Sequence, residues 1–156
     1  MKWILFDFKT AKEAWFEEVE QVYIKKINHF VKFEVSHLRT NKADREQAEI
    51  KKTFEEKILL EKITSDDFVI LFDERGLKYN SIQFSKKIQQ AQESSKKRGV
   101  LIIGGAYGVS ESIIKRSNLL VNLSDMTMNH LIAETVVFEQ FYRAFTILNR
   151  IPYHNV

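Results

Sequence analysis

Apolar positions change their period along the chain, and the changes mark out its elements. Trp3 to Phe8 is a short apolar run, and Val31 to Leu38 alternates through Val31, Phe33 and Val35, so both read as strands. Between them Trp15, Val19, Tyr23, Ile27 and Phe30 recur at helical spacing on one face. Arg39 to Asp44 is polar and precedes a charged helix reaching about Ile63, whose Ile50, Phe54, Ile58 and Leu59 make the thin stripe of a surface helix. Phe68 to Phe72 is a third strand. Asn80, with Gln83 three residues on, opens the next helix with a capping-box pairing, and Gly99 closes that region. Val100 to Ile103 and Leu119 to Leu123 are the fourth and fifth strands, with a short helix from Ser110 between them.

Strands separated by helical stretches imply βαβ units, and hence an α/β fold with a parallel sheet covered on both faces. No linker, repeat or low-complexity segment interrupts residues 1–156, so one domain is expected. The final helix, from about Leu131 to Leu148, is apolar nearly all round, including Val136, Val137, Phe138, Phe141 and Phe145. Such a helix is buried on more than one side. Either it is the core helix of one chain or a second subunit covers it across a two-fold axis; the sequence favours the homodimer.

Composition removes several classes of protein. The chain has no cysteine, which excludes disulfides, thiolate zinc sites and a thiol nucleophile. No apolar run approaches the roughly 20 residues of a membrane span, and Asp7 and Lys9 come too early for a signal-peptide core, so a cytoplasmic protein is expected. The net charge of +3 is unevenly spread: residues 51–100 carry eleven basic side chains against eight acidic. Lys86, Lys87, Lys96, Lys97 and Arg98 cluster there, as a solvated face or as a phosphate-contacting patch.

Three loops follow strand ends: Asp73 to Asn80, Gly104 to Val109 and Ser124 to His130. Ligands of parallel α/β sheets sit outside those ends, so the three can form one pocket. Gly104-Gly105-Ala106-Tyr107-Gly108 taken alone reads as a tight strand-to-helix turn. It lacks the dinucleotide spacing and does not open the fold, which disfavours a small nucleotide-binding oxidoreductase. Arg143 is the best candidate cation of the last helix, and it can equally pair with Glu139 one turn earlier. His130 is either an ordinary helix-start histidine or a member of the pocket; His29 and His37 look structural.

The order and spacing of these blocks resemble the SPOUT-class ribosomal RNA large subunit methyltransferase H family, which N3-methylates a pseudouridine of 23S rRNA. The resemblance spans the whole chain. It rests on the opening strand, the apolar-Asp-x-x-Gly turn at Phe72-Asp73-Glu74-Arg75-Gly76, and the glycine block. The Leu123-to-His130 segment, Glu139-to-Ala144 and the closing Pro152-Tyr153-His154 complete it. It implies a trefoil knot holding S-adenosyl-L-methionine in a bent shape, a homodimer, no metal, and rRNA in the ribosome as partner. Carried over residue by residue, cofactor contacts fall on Phe72, Gly104, Gly105, Ser124, Asp125, Met126, Thr127, Met128 and Asn129. The same carry-over gives Tyr153 a stacking role on the target nucleoside and His154 a polar contact or proton transfer; Arg143 would stabilise developing anionic charge, and His130 joins the cofactor loop. Two positions depart from the family: Asn129 stands where proline is common, and Glu134 where arginine is common, which bears on one anion contact. A non-catalytic dimeric RNA-binding protein of the same fold is the other reading.

Overall fold

Elements follow one another as β1 (Lys2–Asp7), α1 (Ala14–Ile27), β2 (Phe33–His37), α2 (Ala48–Lys62), β3 (Asp67–Leu77), α3 (Ser81–Glu93), β4 (Arg98–Ile103), α4 (Glu111–Arg116), β5 (Leu119–Val121) and α5 (His130–Leu148). This is a computed structural model, and it describes residues 1–8, 13–39, 48–105 and 108–155. Most of the expected polar stretch before α2, and Ala106 and Tyr107 of the glycine block, lie outside the described residues. The five strands form one sheet in the order β2-β1-β4-β3-β5, and every neighbouring pair is parallel. Their carboxyl ends therefore lie along one edge, where the connecting loops collect.

Side chains alternate strictly between two cores, as the period of a strand requires. Trp3, Leu5, Ile70, Phe72, Leu101 and Ile103 face α1, α3 and α5; Ile4, Phe6, Val69, Leu71, Val100 and Ile102 face α2 and α4. Both faces are covered, which is why these strands are apolar throughout rather than alternating with polar residues. The capping box at the start of α3 forms as expected: Asn80 Oδ1 accepts from Gln83 N, and Gln83 Oε1 accepts from Asn80 N.

The structure changes three expectations. β3 does not stop at Phe72; it runs on to Leu77, with a register shift against β5 between Phe72 and Leu77. Gly76 permits this, because a Cβ there would fall 2.6 Å from the carbonyl carbon of Leu120. The inward faces of α1 and α2 keep Tyr23, Ile27, Phe30, Ile58 and Leu59 of the predicted stripes, but their first turns are displaced by one residue. In α1, Phe16 is buried and Trp15 is exposed, since Phe16 is the ring that meets Phe138 of α5. In α2 the buried positions are Lys51, Glu55 and Leu59, while Ile50 and Phe54 face outward.

Helix α5 lies on the sheet between α1 and α3. Phe141 meets Trp3 edge-on at 5.0 Å between ring centroids, and Phe138 stacks on Phe16 and Tyr23. Ile132 is the one exposed residue of the helix. Most of its apolar circumference is thus occupied within the chain, so the apolarity of α5 does not by itself call for a second subunit. Among the described residues no helix is long and apolar enough to cross a membrane.

Candidate active site

Where β3, β4 and β5 end, three adjoining hollows of about 280, 360 and 720 Å³ share Phe72 as a common wall. The middle one is lined by Ser124, Asp125, Met126, Thr127 and Met128; the largest is lined by Gly104 and Gly105, with Met128 and His130 on its α5 side. Eight of the nine residues expected to hold a cofactor therefore lie on one continuous depression. The ninth, Asn129, is the N-cap of α5, and its Oδ1 accepts from the Leu131 N–H at 2.9 Å. That cap satisfies one of the helix's free amides, a different way of holding the position where proline is common.

Each wall has a local reason. Gly108 N donates to the Gly105 carbonyl at 3.0 Å, which ties together the two described sides of the glycine block. A Cβ on Gly105 would lie 2.5 Å from Glu55 Oε1, so the bare backbone is needed to seat that carboxyl group beneath the loop. Burial pushes the Glu55 pKa up, against the opposing pull of Lys51 and the Gly105 N–H. In the Ser124 loop, Asn122 Oδ1 accepts from Ser124 N and Ser124 Oγ accepts from Met126 N, while Lys78 pairs with Asp125. Arg75 pairs with Asp73 at 2.7 Å and holds its carboxyl group below the ordinary range. Asp73, Glu74 and Asp125 make the lining rich in carboxylates.

At the head of α5, His130 Nε2 lies 3.7 Å from Asp7 Oδ2 and 3.9 Å from Glu134 Oε2. Asp7 and Glu134 are wholly buried. The other Asp7 oxygen meets His37 Nδ1 at 2.5 Å, and His37 Nε2 meets Glu20 at 2.9 Å. His37 is structural as expected: it clamps β2 to β1 and α1. Asp7 first and then Glu20 raise its pKa from 6.5 to about 9. Burial opposes ionisation of Asp7, yet the neighbouring imidazoles of His130 and His37 outweigh it and hold the carboxyl group well below its usual range. Sequence reasoning passed over Asp7 and Glu55. Asp7 left a signal, an acid at the end of an otherwise apolar strand.

The remaining candidates gather at the other end of the helix. Arg143 donates to Glu139 Oε1 through Nε and Nη2 at 3.0 and 2.7 Å, and through Nη1 to His154 Nδ1 at 3.0 Å. Its guanidinium lies 4.7 Å from the centre of the Tyr153 ring. Glu139 Oε2 also accepts from Tyr153 OH at 3.0 Å and Tyr23 OH at 2.5 Å. Burial, then Glu139, raise the Tyr153 pKa, so its hydroxyl keeps its proton. Because arginine only donates, His154 Nδ1 is the acceptor and Nε2 carries the proton. Thirteen helical residues separate His130 from Arg143, a distance of about 20 Å along α5. The candidates thus form two groups, not one.

The lysine cluster divides as well. Arg98 pairs with Asp67 at 2.7 Å, Lys96 donates to the Ser65 carbonyl, and Lys97 lies 4.0 Å from Asp66. These three fasten the amino-terminal edge of the sheet, away from the hollows.

Fold and hollow define a class: an α/β protein that takes its ligand at the carboxyl ends of a parallel sheet and closes with a polar cluster on its last helix. A family model described as predicted SPOUT methyltransferase matches residues 1–154. The ribosomal RNA large subunit methyltransferase H of Bdellovibrio bacteriovorus is 52% identical over 156 residues, covering all of both chains. The protein of the same name from Christiangramia forsetii is 36% identical, with 94% of each chain covered. A solved structure of a probable methylase family protein from Haemophilus influenzae Rd KW20 shares the fold, with a TM-score of 0.53 at 12% identity over 95% of this chain and 66% of that one. The chain belongs to the SPOUT methyltransferase family and, within it, to the ribosomal RNA large subunit methyltransferase H proteins.

Proposed function

We propose that this protein transfers the methyl group of S-adenosyl-L-methionine to N3 of a pseudouridine in 23S rRNA of the ribosome, in the cytoplasm and as a homodimer. The observation that carries this reading is the depression around Phe72. Its total volume suits a ligand of cofactor size. Its walls are apolar side chains and the exposed backbone of the glycine and Ser124 loops, and its carboxylates Asp73, Glu74 and Asp125 suit a sulfonium cation. A dinucleotide, with its pyrophosphate, would meet those carboxylates unfavourably. The loops that form the walls would be those of the knot.

When bound, the cofactor supplies an activated methyl group, and the protein's work is alignment and charge. N3 of the target ring must lose its proton. Arg143 is placed to stabilise the negative charge that develops on the ring, and His154 Nε2–H to donate to a ring oxygen. Tyr153, fixed by Glu139 and by the guanidinium at its face, offers the stacking surface for a displaced base. Since this group lies about 20 Å along α5 from His130, which lines the largest hollow, we assign it to the largest hollow of the second subunit. Lys52, on the rim of the largest hollow, is placed to meet phosphates.

Incubation with ribosomes and methyl-labelled S-adenosylmethionine tests the reading. Label in 23S rRNA at N3 of a pseudouridine is expected. Saturable binding of NAD with none of S-adenosylmethionine, and no label in rRNA, would overturn it.

A further inference from the structure

We propose that Asp7, His130 and Glu134 form a binding site for one divalent transition-metal ion of the zinc type, at the junction of β1 and α5. Each offers one ligand atom, and these atoms all lie within 4.8 Å of one another. The imidazole-to-carboxylate separations of 3.7 and 3.9 Å are too long for hydrogen bonds. They approach the roughly 3.3–3.6 Å edges of a tetrahedron whose bonds to zinc are about 2.0–2.2 Å, and with all three atoms within 4.8 Å of one another the site closes on an ion by contracting about an ångström at most.

A second observation points to the same centre. Asp7 is fully buried, and its Oδ2, which faces His130, has no hydrogen-bond partner among the described residues; nor has His130 Nε2. The other Asp7 oxygen is taken by His37, which is held in turn by Glu20. This is how an outer partner orients a metal-binding carboxylate. Two wholly buried carboxylates face one imidazole here, and the charge of Glu55 is felt at His130 from below the glycine loop. A dication balances that concentration of acid better than any side chain present. One imidazole nitrogen with two carboxylate oxygens selects a borderline ion over calcium or magnesium. Three protein ligands leave a coordination position free, and His130, 26% exposed, lines the largest hollow, so that position opens toward it. Methyl transfer does not require the ion. Its task is to neutralise the buried acids and to fix the first turn of α5 against β1.

The full chain, stripped with a chelator and dialysed, is titrated with Zn²⁺ by calorimetry, with metal content counted afterwards. Co²⁺ is then substituted to read the visible absorption of a four- or five-coordinate site. One ion per chain is expected, with a rise in melting temperature on zinc addition. Glu134→Gln, and separately His130→Gln, should weaken binding about 100-fold or more and abolish that rise. Asp7→Asn should do the same if it folds. His29→Gln should leave binding as in the wild type. Absence of stoichiometric zinc, or wild-type affinity in Glu134→Gln, overturns the site. Because the readout is metal content, that failure leaves the methyltransferase reading untouched.

Discussion

The two ends of helix α5 solve opposite problems. At its carboxyl end every residue of the Arg143–Glu139–Tyr153–His154 cluster is hydrogen-bonded to another member, with Tyr23 as an additional donor to Glu139. At its amino end, Asp7 Oδ2 and His130 Nε2 are buried without hydrogen-bond partners among the described residues, beside the fully buried Glu134 and an open hollow. A saturated cluster is finished as it stands: it orders the chain end and presents a fixed surface. An unsatisfied one is costly unless something else completes it. Under the proposed function the tail recognises the substrate with a preformed surface and the head binds a ligand.

Deleting residues after Ile151 should break the contrast most sharply. Affinity for S-adenosylmethionine, measured by calorimetry, should stay within about 2-fold of wild type, whereas methyl transfer to ribosomes should fall by at least about 100-fold. A deletion that methylates at the wild-type rate would remove substrate recognition from Tyr153 and His154.

Arg143→Ala comes next. It leaves Glu139 with only its tyrosine donors and frees His154, so the melt should lose about 1–3 kcal/mol along with activity. Cofactor affinity should again be unchanged, and a loss of cofactor binding would show that head and tail are not separate.

The pH dependence of stability is the smallest effect and belongs to the head. His37 has its pKa raised to about 9, so the stability from its clamp on Asp7 and Glu20 is fully present below about pH 6.5 and is lost as pH rises through 9. Urea melts of chelator-treated protein should show a decline on the order of 1–3 kcal/mol over that window, absent in His37→Gln. A decline of the same size in His37→Gln would place its source elsewhere.

How much of this was legible in the sequence divides along the same line. Four of the five strands were visible because doubly covered strands are continuous apolar runs, β2 because it alternates, and the Asn80 cap because its partner lies three residues away. The three loops could be expected to meet because strand ends in a parallel sheet share an edge. The Glu139–Arg143 pair could be named because the two share one helix face, and Tyr153 and His154 because the closing Pro152-Tyr153-His154 resembles the family's tail. The acid cluster could not. Asp7 and Glu134 are 127 residues apart in the chain, and only the parallel pairing of β1 with β4 and the docking of α5 bring them together. Glu55 was hidden differently: α2 turns its charged side inward, against the apolar stripe of Ile50 and Phe54, because the glycine loop needs an acceptor for its amide. Periodicity reports burial of apolar groups, not burial of charge.

The central claim, that the tail of one subunit completes the hollow of the other, is tested most directly by mixing two inactive subunits. Ala133→Trp fills the depression from a position lining its two larger hollows; the tail deletion removes Tyr153 and His154. Differently tagged chains are co-expressed, the mixed dimer is isolated, and methyl transfer to ribosomes is measured against each parent dimer. The mixed dimer holds one intact hollow facing one intact tail, so it should recover roughly half of wild-type activity while both parents remain inactive. A mixed dimer no more active than its parents, or a wild-type chain that sediments as a monomer, would contradict the claim.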